Sequence, residues 1–87
     1  MSDIHIASCV AYALPERAPD IERAIKGTGL AEVPLRDERG RLVILIEAAS
    51  SARVLEAMDA IRALEGVLAI HLAYQHAESE SEMQEAP

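Results

Sequence analysis

The residues able to do chemistry are few. Three histidines, His5, His71 and His76, one cysteine, Cys9, and Ser8 beside it are the candidate ligands and nucleophiles. Metal sites draw ligands from close, recurrent spacings. Here only His71 and His76 are neighbours, and a five-residue spacing near a strand end reads as a solvated pair. Ser8 and Cys9 lie inside an aliphatic run, with no base and orienting acid placed by sequence to activate either. A single cysteine excludes a disulfide framework and any paired-cysteine motif, and Cys9 reads as a small buried hydrophobe. Gly27-Thr28-Gly29 lacks the remaining glycine spacing and the lysine of a phosphate loop. The glutamates after residue 77 have no fixed geometry for acid–base work. The sequence therefore points to a binding protein rather than an enzyme, with no metal and no cofactor.

Composition narrows the partner. The 87 residues are 51% apolar and carry a formal charge of −7. A chain of this size makes one domain with a thin core, burying roughly 60–65% of its unfolded surface. Tyr12 and Tyr74 are its two aromatics. Nucleic-acid binding needs exposed rings and a positive field, so it is excluded, and basic partners are favoured. The N-terminus carries no basic leader, and no apolar stretch reaches the roughly 18 residues of a membrane span. The expectation is a cytoplasmic chain without stable membrane insertion.

The elements follow from periodicity. Residues 4–12 alternate as a strand. A helix opens near Pro15, settles after Pro19, carries Ile21, Ala24 and Ile25 as its stripe, and ends at Gly27. Residues 31–36 form a short strand that Pro34 confines to an edge. Asp37-Glu38-Arg39-Gly40 is a hairpin loop. Residues 41–48, RLVILIEA, read as a central strand buried on both faces. Ser50 caps a second helix with Val54, Met58, Ile61 and Leu64 at its core, and Gly66 is its C′ residue. Residues 67–74 are the last strand. The domain is expected over 1–76, with a disordered acidic tail over 77–87. The order β-α-β-β-α-β predicts an α+β, ferredoxin-like sandwich: a four-stranded antiparallel sheet with two helices on one face.

The other sheet face is then open. Strand alternation splits each strand into two sets. The bulkier set, Ile4, Ile6, Ser8, Val10, Leu42, Ile44, Ile46, Leu68, Ile70, Leu72 and Tyr74, is assigned to the helices. The smaller set, His5, Ala7, Cys9, Ala11, Val43, Leu45, Glu47, Ala69, His71 and Ala73, is assigned to the open face as the peptide-binding residues. A bulge would invert one strand relative to the others. A solvated sheet face normally alternates with polar residues, whereas this set is mostly apolar. An apolar open face marks a binding surface. The residues alone leave two occupants open: a partner helix, or a second copy packed sheet to sheet.

The chain resembles the NapD family. Ile6-Ala7-Ser8-Cys9-Val10-Ala11, Pro15-Glu16-Arg17, Gly40-Arg41-Leu42-Val43-Ile44-Leu45-Ile46-Glu47-Ala48 and Glu65-Gly66-Val67-Leu68-Ala69-Ile70-His71-Leu72-Ala73-Tyr74-Gln75-His76 carry the likeness, over about residues 4–76. Gly27-Thr28-Gly29 stands where that family usually has a Pro-Gly pair. The resemblance implies a ferredoxin-like cytoplasmic chaperone that carries no cofactor. It implies binding to the twin-arginine signal peptide of the periplasmic nitrate reductase catalytic subunit, as a monomer or weak dimer. Export would then wait for cofactor insertion. Two other readings of the same fold are a small-molecule effector domain acting as a dimer, and an acylphosphatase-type enzyme. The second lacks its phosphate-cradling loop.

Overall fold

The structure is a computed structural model, and it describes residues 3–29 and 31–79. Strand β1 (Asp3–Ala13) leads through a 3-10 turn (Pro15–Arg17) into α1 (Ala18–Gly27). Then come β2 (Ala31–Arg36), β3 (Arg41–Ala48), α2 (Ser51–Arg62) and β4 (Val67–Ser79). The sheet order is β2-β3-β1-β4 with every pairing antiparallel. This is the expected ferredoxin-like sandwich, with β2 at an edge, where the missing N–H of Pro34 leaves no central ladder broken.

Local chemistry sets the element ends. The Ser50 hydroxyl accepts a hydrogen bond from the Arg53 amide at 3.2 Å, satisfying one of the open donors of α2. That helix stops at Arg62, with Ala63 as C-cap. Gly66 is therefore not its C′ residue. It sits at φ +96 in the turn into β4, and its carbonyl accepts from the Leu14 amide at 2.9 Å. Gly40 closes the β2–β3 hairpin at φ +93, and its carbonyl accepts from the Ala13 amide at 2.8 Å. An added Cβ there would lie 2.0 Å from the Ala13 carbonyl oxygen, so only glycine fits.

Both helices cover one sheet face. Ile21 and Ile25 of α1 and Val54, Met58 and Ile61 of α2 join Leu42, Ile44, Ile46 and Ile70 in a single core. The strand-side floor of that core is small: Ala7, Cys9, Ala11 and Ala13 of β1. Two expectations are corrected here. Strand β3 is central but buried on one face only, since Val43 and Leu45 are half-buried and Glu47 is exposed. Strand β4 runs to Ser79, with Ala77 opposite His5 and Ser79 opposite Asp3. Residues 77–79 of the expected tail thus belong to this strand, and residues 80–87 lie outside the described residues.

Candidate functional site

Cross-strand partners share a face of the sheet, so the register decides which side chains meet. Ala7, Cys9 and Ala11 stand opposite Ile46, Ile44 and Leu42, and all six are fully buried beneath the helices. On the opposite face, Ile6, Ser8, Val10 and Tyr12 stand beside Glu47, Leu45, Val43 and Arg41. Strand β4 adds His71 next to Val10, Ala69 next to Tyr12, Tyr74 next to Ser8 and His76 next to Ile6. Strand β2 adds Leu35 next to Val43 and Glu32 next to Leu45.

The expected site residues divide accordingly. Val43, Leu45, Glu47, Ala69 and His71 lie on the helix-free face as anticipated. The β1 residues do not. Ala7, Cys9 and Ala11 are core, and His5, paired with Ala48, lies on the helix side with them. The physical reason is volume. Large aliphatics from both helices and from β3 fill the space over the sheet, so the central strand beneath them must be small. Burial also pushes the Cys9 thiol up from its ordinary value, consistent with a packed rather than reactive sulfur. Ala73 is the extra residue of a bulge, where the register steps from Ser8–Tyr74 to Cys9–Leu72. That bulge sends Leu72 to the helix side and Tyr74 to the open side. A second irregularity, between Tyr12 and Ala13, skips Leu68, which is exposed rather than core.

The residues missed by the sequence reading are Ile4, Ile6, Ser8, Val10 and Tyr12 of β1, Glu32 and Leu35 of β2, and Tyr74 and His76 of β4. A usable signal was present in the tyrosines. The chain's two aromatics avoid the core and are 44% and 59% exposed on the open face. Each stands against a histidine there. Tyr12 meets His71 edge-on with ring centroids 6.1 Å apart, and Tyr74 meets His76 at 5.1 Å.

The face thus has an aliphatic middle of half-buried Ile6, Val10, Val43 and Leu45, and aromatic–histidine pairs along β4. No described element covers it. Among the described residues no group of three or more His, Cys, Asp or Glu is placed to hold a metal ion. No described helix is long and apolar enough to cross a membrane. The arrangement can bind by apolar contact and by hydrogen bonds from its rim.

The family model for the NapD protein matches residues 4–79. The chain belongs to the NapD family. Chaperone NapD of Escherichia coli K12 is 32% identical over 78 residues, covering 88% of this chain and 90% of that protein. Chaperone NapD of Haemophilus influenzae is 22% identical over 80 residues, covering 91% and 86%. The solution structure of the E. coli Tat proofreading chaperone protein NapD superposes with a TM-score of 0.77 at 32% identity. That match covers 97% of this chain and 87% of the other. The ferredoxin-like fold is common to both, and the family is one of chaperones, not enzymes.

Proposed function

We propose that this chain is a cytoplasmic chaperone that binds the twin-arginine signal peptide of the periplasmic nitrate reductase catalytic subunit. It holds the precursor back from export until the cofactors are inserted. The observation that carries the reading is the uncovered aliphatic stripe of Ile6, Val10, Val43 and Leu45 on a helix-free sheet face, in a chain of net charge −7. A twin-arginine leader joins a basic segment to an apolar one. The apolar segment docks as a helix on the stripe, ordered by desolvation on contact. The basic segment is drawn to an acidic surface, which speeds encounter and makes binding salt-sensitive.

Calorimetric titration with a twin-arginine leader peptide and its twin-lysine counterpart tests this. Guanidinium forks grip carboxylates through two hydrogen bonds and ammonium groups do not, so the arginine peptide should bind several-fold tighter. Equal, weak heats from both would overturn the reading. Sedimentation checks the remaining alternative. An obligate dimer that ignores the peptide but gains stability from an amino acid would make this sheet an effector-binding seam.

A further inference from the structure

The open face is electrically lopsided along its length. At one end Glu32 of β2 stands opposite Leu45, and Glu47 lies two positions further along β3 on the same face. Such diagonal neighbours have Cα atoms roughly 7–8 Å apart, within reach of one another's long side chains. The two carboxylates line one depression with Ile6, Leu45, Gly29 and Ala31. Neither makes an ion pair or hydrogen bond among the described residues. The lysine and arginines of β2, α2 and the last turns of α1 are already engaged. Lys26 and Arg36 both grip Glu22, at 2.7 and 2.6 Å, and Arg53 holds Glu56 at 3.1 Å.

The opposite end is balanced. Arg39 and Arg41 in and beside the hairpin offset Asp37 and Glu38. Asp37 is fixed by the Arg39 and Arg41 amides and by the Arg41 guanidinium at 3.2 Å. Between the ends, Arg41 to Glu47 is six strand steps, about 20 Å. That length matches a helix of about 13 residues.

We propose, resting on the signal-peptide reading above, that the leader docks with a fixed polarity. Its arginines sit in the Glu32–Glu47 depression, and its apolar helix runs along β3 toward the Arg41 hairpin. Two carboxylates on an aliphatic floor suit arginine. The guanidinium bridges the oxygens while its methylenes lie on Ile6 and Leu45. The N-terminal, positive end of the peptide's helix dipole falls on the same side as the carboxylates.

Paramagnetic relaxation in the isotope-labelled protein tests the polarity. A nitroxide at the peptide's N-terminal end should broaden the Glu32 and Glu47 amides. One at its C-terminal end should broaden Tyr12 and Arg41. The reverse pattern, or both labels broadening both ends alike, would overturn the polarity and leave signal-peptide binding standing. A peptide that does not bind at all overturns both. The double variant Glu32→Gln/Glu47→Gln should lose at least tenfold in affinity and lose its preference for arginine over lysine, with Tm unchanged within about 2 °C. Glu16→Gln/Glu38→Gln, which removes two exposed charges at the hairpin end, should change affinity less than twofold. Equal losses from the two constructions would reduce the effect to net charge and refute the site.

Discussion

Two consecutive residues of β1 should respond oppositely to the same substitution. Ala11 is fully buried between Leu42 and Ile70 in the core, whereas Val10 lies between Val43 and His71 on the open face. In Ala11→Glu the new carboxyl has no partner. Keeping it neutral at pH 7 costs about 1.4 kcal/mol for each pH unit above an unfolded value near 4.3, or about 4 kcal/mol. Overpacking a site sized for alanine adds about 1–3 kcal/mol. A domain of this length holds only roughly 4–13 kcal/mol in total. The variant should lose at least about 20 °C in Tm, at about 4–8 °C per kcal/mol, or fail to fold. Val10→Glu should give up about 1 kcal/mol of partial apolar burial, keep its fold, and bind the leader peptide at least tenfold more weakly. Circular dichroism melts at pH 7 and peptide calorimetry read both. A stable Ala11→Glu beside an unfolded Val10→Glu would reverse the two faces of β1 and refute the reasoning.

Gly40→Ala should destabilise by about 2–4 kcal/mol, because its Cβ would lie 2.0 Å from the Ala13 carbonyl oxygen at a φ of +93. An unfolding free energy from urea melts within about 0.5 kcal/mol of the parent would contradict that geometry. Glu22 accepts from Lys26 and Arg36 at 2.7 and 2.6 Å, and those two hydrogen bonds, Lys26 first, hold its carboxyl below the usual glutamate range. A depressed folded-state value stabilises the fold above the unfolded value near 4.3, and that contribution is lost as pH falls through the folded value. Glu22→Gln should therefore cost about 0.5–1 kcal/mol at pH 7, since the partners are partly exposed, and nearly nothing once pH is well below 4. An equal cost at both pH values would refute the assignment.

The element order was legible because each strand and helix carries its own period, and because Pro34 and Ser50 act locally at an edge and at a cap. The face of β1 was not. Alternation tells which residues of one strand travel together, but not which set meets the helices. Size suggested the bulky set, and the reverse holds because the helices and β3 bring the volume to the core. The register adds a further step. Ile6 stands opposite Glu47, so the even residues of β1 join the odd residues of β3. The bulge at Ala73 then reverses the phase of β4 midway, and no local signal in Leu72-Ala73-Tyr74 announces it. Strand β4 also outruns its aliphatic stretch, because pairing with β1 rather than side-chain burial carries it to Ser79.

The measurement closest to the central claim is a map of amide chemical-shift changes as the unlabelled twin-arginine leader is added to isotope-labelled protein. Docking on the helix-free face should give the largest changes at Ile6, Ser8, Val10, Val43, Leu45 and His71, with α1 and α2 nearly silent. Changes centred on the outer surfaces of the two helices, or confined to the β2 edge, would contradict it.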